Sequence, residues 1–274
     1  MNREDSPRHF PGVAAFRLMM LVGWTAFMIP IHGTALLLRL RLSARTLRFY
    51  WKGICWFAGI RVVTHGTMTE KSPVLFVANH ISYFDIAVLG RTLLASFIAK
   101  SEVARWPALG ILSKLGRTLF IVRQRGRSAE QRDEILERMK RNDSLIVFPE
   151  GTSSDGNRVL PFKSALFSVA ETRIDDAPVL VQPVSVAYTR LDGLPVCYEW
   201  RSFFAWYGDM ELASHVWNML GLAGTVDVDV IFHAPVSMSD FSSRKEMAAY
   251  CHTCIADAVS LANGGRLGEG GEKK

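Results

Sequence analysis

Apolar positions are spread unevenly along this chain. Leu18 to Leu38 contains no charged residue, and about 20 such residues make enough helix to cross the hydrocarbon core of a bilayer. Gly23, Pro30, His32 and Gly33 interrupt the run. It therefore predicts either a kinked transmembrane helix or a helical hairpin lying in one leaflet. A buried helix of a soluble domain is the plainer alternative. A cleaved signal peptide fits less well, because the run is too long and lacks a clear small-residue cleavage site.

Past residue 60 the apolar runs shorten to strand length. They fall at Arg61–Val63, Val74–Ala78, Ser96–Ala99, Thr118–Val122, Leu145–Phe148, Val179–Tyr188 and Val226–Phe232, the last alternating with Asp227 and Asp229. Helices are expected between them at Ile86–Leu94, Pro107–Leu115, Gly126–Arg141 and Lys163–Thr172, with another beginning at Ser243. Ser128 with Gln131 forms a capping box ahead of the stripe Ile135, Leu136 and Met139. Ser243 with Glu246 caps the last helix, which stops at Asn263-Gly264-Gly265. Strands alternating with helices predict an α/β domain, a mixed sheet flanked by helices with its functional side chains at strand ends. The expected organisation is a polar tail and membrane anchor over 1–60, a globular domain over 61–263 and a flexible glycine-rich tail over 264–274.

The 274 residues suffice for one sizeable domain with a real core. A formal net charge of +6 asks for an anionic partner, either nucleic acid or a bilayer surface. Its placement decides. Arg39, Arg41, Arg45, Arg48 and Lys52 follow the apolar run with no acidic residue among them, a bias that argues for the following domain on the cytoplasmic side. Phe49, Tyr50, Trp51, Trp56 and Phe57 are interleaved with these cations, as in an interfacial anchor against anionic headgroups. The reading is a membrane partner and no nucleic acid. Cys55, Cys197, Cys251 and Cys254 are scattered, as in a reducing compartment. Cys251-His252-Thr253-Cys254 looks like half a zinc site. No second CxxC completes it, so buried core thiols and no metal are expected.

The Val74–Ala78 run breaks into Asn79 and His80, and a new segment starts near Ser82, a helix-cap residue, with Asp85 inside its first turn. An imidazole at a strand end, with a carboxylate one helical turn on, can build a general base. There Asp85 can hydrogen-bond one ring nitrogen of His80, fix the tautomer and raise the basicity of the other. The plain alternative is a turn histidine beside an unrelated aspartate favoured by the helix dipole. A second apolar run ends in Phe148-Pro149-Glu150-Gly151-Thr152-Ser153-Ser154, and a third, Phe120-Ile121-Val122, ends in Arg123.

The blocks NHxxxxD over 79–85, FIxR over 120–123 and FPEGT over 148–152, in that order, resemble the glycerolipid acyltransferase family. A proline-bearing strand, Val179-Leu180-Val181-Gln182-Pro183-Val184, matches a fourth block of that family. The resemblance implies the glycerol-3-phosphate acyltransferase-type α/β fold. It also implies transfer of an acyl group from acyl-CoA or acyl carrier protein to a lysolipid hydroxyl, with no cofactor. His80 and Asp85 become the catalytic pair. Asn79, Arg123, Glu150, Gly151 and Thr152 become substrate-binding, Arg123 for an acceptor phosphate because its guanidinium fork matches oxyanions. A basic strand end among Arg117, Arg125 and Arg127 is the plainer account of Arg123. Asn79 or the turn's own amides are expected to polarise the thioester carbonyl. No GxSxG elbow is present, so direct transfer without an acyl-enzyme is favoured.

Two departures bear on the acceptor. Thr118 stands where the family commonly has Gly, and Ser153 follows FPEGT where an Arg frequently contacts phosphate. The stretches Gly151–Phe167 and Ala205–Trp217 look more like the branch that acylates lyso-ornithine lipid. Its zwitterionic headgroup finds complements in Asp155 and Arg158. Lysophosphatidate is the alternative acceptor, and the two activities can coexist. A non-catalytic membrane-surface module leaves the three chemically loaded strand ends unexplained. A lipid hydrolase needs an activated Ser or a metal cluster that the sequence does not offer.

Overall fold

Every residue from Val74 to Ala78 is apolar and buried, the pattern of a strand covered on both faces, and the sheet extends outward from it. The computed structural model describes residues 8–38, 40, 43–105, 109–121 and 128–267. In chain order the elements are α1 (Pro11–Leu37), α2 (Ser43–Phe57), β1 (Ile60–His65), β2 (Val74–Ala78), α3 (Phe84–Thr92) and β3 (Ser96–Lys100). Then come α4 (Leu109–Leu115), β4 (Leu119–Ile121), α5 (Ser128–Lys140), β5 (Leu145–Val147), β6 (Arg173–Ile174) and β7 (Ala177–Pro178). The chain closes with β8 (Leu180–Leu191), β9 (Leu194–Pro195), α6 (Tyr198–Phe204), α7 (Leu212–Leu220), β10 (Val226–Phe232) and α8 (Arg244–Asn263).

The main sheet runs β1-β10-β8-β2-β5-β3-β4, with β9 against β8. β8, β2, β5, β3 and β4 are parallel, whereas β10 is antiparallel to β8 and carries β1 parallel to itself. This is the mixed α/β sheet flanked by helices that the alternation predicted. Side chains on β2 divide by face. Val74, Phe76 and Ala78 join a core with α1, α2, α3, α6 and α7, while Leu75 and Val77 join one with α5 and α8.

Several expectations change in detail. The run read as Lys163–Thr172 α-helix is a 3-10 stretch, Ser164–Glu171. β8 runs three residues past Tyr188 to Leu191, and α6 and α7 were not expected at all. Asp227 and Asp229 do not mark an open face of β10. Both are buried, Asp227 under the Arg61 guanidinium at 2.6 and 2.7 Å and Asp229 under His65 at 2.6 Å. Cys251 is a buried core thiol of α8, while Cys254 is half-buried. The Ser128–Gln131 capping box lies outside the described side chains, and the 268–274 tail outside the described residues.

The apolar N-terminal run is one helix rather than a hairpin, and Pro30 lies inside it. It is long and apolar enough to cross a membrane, and only 11% of its most apolar window is buried. Phe16, Met19, Val22, Phe27, Ile31 and Leu37 are exposed. Its other side is docked. Arg17 donates to the Leu222 and Gly224 carbonyls, Trp24 Nε1 to the Tyr50 carbonyl at 3.0 Å, and His32 bridges Thr46 and the Leu115 carbonyl. Glycines let the aromatic rings in. A Cβ on Gly53 of α2 would lie 2.2 Å from the Trp24 ring, and one on Gly90 of α3 would lie 2.4 Å from Trp51. The expected boundary at residue 60 therefore separates segments that share one core, since Ala14, Cys55 and Ala58 pack with the β2 side chains.

Candidate active site

β2 and β5 pair in parallel, Val77 opposite Val147, so their carboxyl ends open side by side. The turn after β2 brings His80 and the turn after β5 brings Phe148 to Glu150, residues 70 apart in sequence. Ligand sites in parallel sheets form at this end of the strands.

α3 starts at Phe84, and the helix N-terminus has no side-chain cap. Ser82, expected as the cap, instead gives its backbone N–H to Asp85 Oδ2 at 2.9 Å, and Ile81 gives its own at 2.6 Å. His80 Nδ1 donates to the same oxygen at 2.8 Å, and the Tyr188 hydroxyl donates to Oδ1 at 2.9 Å. Asp85 is completely buried. With Nδ1 carrying the proton, His80 Nε2 holds the lone pair. No hydrogen bond engages Nε2 among the described residues. The imidazole side chain is 20% exposed, and its ring lies flat on Phe148, with centroids 4.2 Å apart and planes 16° apart. Phe148 in turn stacks on Phe97 of β3. His80 is thus covered on one face by Phe148 and held from below by Asp85, with its lone-pair nitrogen engaged in no hydrogen bond among the described residues.

Glu150 does not face outward to a substrate. It is 3% exposed, and its two oxygens accept the backbone N–H of His80 at 2.7 Å and of Leu160 at 2.8 Å. Burial pushes its carboxyl up to about 8. The two amides oppose that rise and the Asp85 charge adds to it. The resemblance implies a substrate-binding Glu150, whereas its geometry matches positioning of the loop and of the His80 backbone. Gly151 takes φ +77° at the turn that follows, a conformation that disfavours any side chain. Thr152 is exposed at the rim.

Asn79 departs from expectation more sharply. It is 1% exposed, its amide donates to the Val186 carbonyl at 2.9 Å, and its oxygen accepts the Val186 N–H at 2.8 Å. It ties β2 to β8 through both ends of its amide and is almost fully buried, a position that matches a strand-to-strand clamp rather than an exposed donor at the thioester carbonyl. Arg123 lies outside the described residues. Asp155 folds back on Asn157, accepting from its N–H at 3.1 Å and from its Nδ2 at 3.4 Å, while Arg158 is exposed.

Position 153 is filled differently from what its sequence neighbourhood suggests. Ser153 is 9% exposed and its hydroxyl donates to the Trp206 carbonyl. The Trp206 N–H donates to the Ile81 carbonyl at 3.0 Å, and Ser154 N to the His80 carbonyl at 2.8 Å. The segment after α6 is therefore stitched to both turns that carry the site. Tyr188 and Trp206 are the two neighbours that motif reading missed. Neither stands in a block with His80, although the Ala205–Trp217 stretch had been singled out as a branch feature. Cys55 and Cys251 offer no nucleophile, since burial pushes both thiols up to about 12. Among the described residues, no cluster of His, Cys, Asp and Glu is placed to hold a metal ion.

Residues 59–187 match the family model described as Acyltransferase. The chain is 40% identical over 232 residues to a lyso-ornithine lipid O-acyltransferase of Brucella abortus (strain 2308), covering 83% of this chain and 86% of that one. It is 33% identical over 271 residues to another from Rhodobacter capsulatus, covering 94% and 96%. A 1-acyl-sn-glycerol-3-phosphate acyltransferase of Neisseria gonorrhoeae is 30% identical over 197 residues, 70% of this chain and 73% of that one. The crystal structure of the 1-acyl-sn-glycerophosphate acyltransferase from Thermotoga maritima superposes with a TM-score of 0.63 at 22% identity, over 95% of this chain and all of that one. It shares the fold.

Proposed function

The chain belongs to the acyltransferase family, and from that premise we propose that it transfers a fatty acyl group from an acyl thioester to the free hydroxyl of lyso-ornithine lipid. The observation that carries the chemistry is His80, with Nδ1 held by buried Asp85 at 2.8 Å and Nε2 left toward the open site. Nε2 takes the proton of the lipid hydroxyl as that oxygen attacks the thioester carbonyl. A C–O bond forms, the tetrahedral intermediate collapses, the C–S bond breaks, and the proton on Nε2 passes to the departing thiolate. Asp85 stabilises the imidazolium that exists between the two transfers. Glu150 fixes the His80 backbone during both.

The acceptor reading is supported by the names of the relatives with the higher identities and by the loop at residue 153. A buried dianionic phosphomonoester needs more than one paired cation, and Ser153 is committed to the Trp206 carbonyl. Lysophosphatidate is the second reading, favoured by the gonococcal relative. The donor is a thioester of CoA or of acyl carrier protein. We place the enzyme on the cytoplasmic face of the inner membrane, held by the exposed apolar side of α1 and by Arg45, Arg48 and Lys52 against anionic headgroups.

The test offers purified enzyme the same acyl thioester with lyso-ornithine lipid and with lysophosphatidate in mixed micelles. Mass spectrometry of the products is expected to show the diacylated ornithine lipid as the preferred product. Acylation of lysophosphatidate with lyso-ornithine lipid ignored would overturn the acceptor assignment.

A further inference from the structure

The Asp85 carboxylate is loaded unevenly. Oδ2 accepts from Ile81 N, Ser82 N and His80 Nδ1, whereas the Tyr188 hydroxyl is the hydrogen-bond donor to Oδ1 among the described residues. Tyr188 comes from the far side of the β2–β8 ladder, 103 residues along the chain. It is 3% exposed, and its ring stacks on Phe204 at a centroid distance of 6.1 Å and 15°. Burial holds its phenol well above the ordinary value, with the Asp85 charge adding to that effect, so the group stays a donor.

The strand is also irregular at this point. Tyr188 of β8 pairs with Val228 and Arg190 with Asp227, which leaves Thr189 between them unpaired in that ladder. Such a bulge re-aims the neighbouring side chains and recurs beside active sites. Tyr188 thus leaves a regular run of pairs in the direction of the Asp85 carboxylate.

We propose that Tyr188 is a positioning residue for acyl transfer, pinning Asp85 Oδ1 so that Oδ2 stays on His80 Nδ1. The proposal rests on the reading of His80 as the base. A carboxylate turns about its Cβ–Cγ bond, and the two backbone N–H groups on Oδ2 do not by themselves fix its plane. The phenol holds the second oxygen, and two held oxygens define the plane in which the imidazole must lie. Tyr188 is almost fully buried and reaches the site through Asp85, so its contribution falls on the rate of proton transfer and not on binding.

Tyr188→Phe keeps the ring on Phe204 and removes only the hydroxyl. Expected is a roughly 10-fold lower kcat per folded molecule, with the KM for acceptor and for thioester unchanged. In an Asp85→Ala background the same change is expected to lower kcat no further, because Tyr188 acts through Asp85. Phe204→Leu serves as the packing control. It removes the stacking ring while leaving the Tyr188 hydroxyl present to donate, and is expected to lower Tm while leaving kcat within about 2-fold. A Tyr188→Phe protein with wild-type kcat overturns the proposal, as does an equal further loss in the Asp85→Ala background. Should Tyr188→Phe fail to fold, 3-fluorotyrosine at 188 alters the strength of the donated bond at nearly constant volume, and an unchanged kcat there overturns the proposal equally. Full activity of His80→Ala would instead overturn the reading of the base, so the two failures are distinguishable.

Discussion

Asp85→Asn isolates what the buried charge does for the base. The amide can enter with its oxygen in the place of Oδ2, still accepting from Ile81 N, Ser82 N and His80 Nδ1, which now sit at 2.6, 2.9 and 2.8 Å. The geometry at His80 survives and the charge does not. Two unit charges about 4 Å apart attract by ~4 kcal/mol at an effective dielectric of ~20. That sets the upper bound on lost imidazolium stabilisation, and solvent screening at the 20% exposed imidazole lowers it to a floor near ~1.4 kcal/mol. The expected fall in kcat is therefore about 10- to 1,000-fold. The amide nitrogen now faces the Tyr188 hydroxyl, whose proton loses its acceptor, and an unsatisfied buried donor costs ~1–3 kcal/mol, so Tm drops as well. Release of free thiol from the acyl thioester, followed with a chromogenic thiol reagent, reads the rate. His80→Ala should fall to the uncatalysed background while keeping its fold. An Asp85→Asn enzyme within 3-fold of wild-type kcat, or one as inert as His80→Ala with an intact fold, would refute the reasoning.

Three further outcomes are expected. Ser153→Arg is expected to lower Tm and to reduce both acceptor activities more than 10-fold instead of exchanging one acceptor for the other. The position is 9% exposed under the Trp206 carbonyl, and an unpaired cation is costly to bury there; a stable variant that prefers lysophosphatidate would contradict this. Because the Glu150 carboxyl rises from 4.5 to about 8 on folding, the folded state holds that proton more tightly. Its contribution to stability is fully present below about pH 4.5 and is lost as pH climbs toward 8, by at most ~1.4 kcal/mol per pH unit. The Tm difference between wild type and Glu150→Gln should narrow or reverse from pH 5 to pH 8, and a constant difference would refute it. Val22→Asp with Phe27→Asp, on the exposed face of α1, should move the protein from the membrane pellet to the supernatant, whereas high salt alone should not release the wild type.

What the sequence reveals is set by how local each interaction is. β2 was legible because a strand buried on both faces is apolar at every position. His80 with Asp85 was legible because both partners lie in one turn. Glu150 was visible as a residue but ambiguous in role. A carboxylate after an apolar strand looks like a ligand until the parallel pairing of β2 with β5 puts the His80 amide 2.7 Å away. Asn79 misled for the same reason, since its partner Val186 stands 107 residues further on. Tyr188 and Trp206 reach the site across similar distances, and no spacing rule connects them to it. α6 and α7 are short, at 7 and 9 residues, so neither gives a periodic signal long enough to separate from the strands around it.

The same topology explains why the apolar helix α1 cannot be treated as a detachable tether. Trp24 of α1 seats over Gly53 of α2, Trp51 of α2 seats over Gly90 of α3, and α3 begins where the turn of His80 and Asp85 ends. Each contact needs a glycine, because a methyl group at either position would fall inside the indole ring. Close packing transmits displacement instead of absorbing it, so the placement of α1 is tied, through two Trp–Gly contacts, to the helix that carries Asp85. Cutting the chain near residue 61 would remove Trp51, Cys55 and Ala58 together with the apolar helix, and would open the core beneath the base. On the proposed function, the lipid hydroxyl and His80 have to meet at a fixed height above the membrane. A scaffold in which the apolar helix and the turn of His80 share one core would set that height.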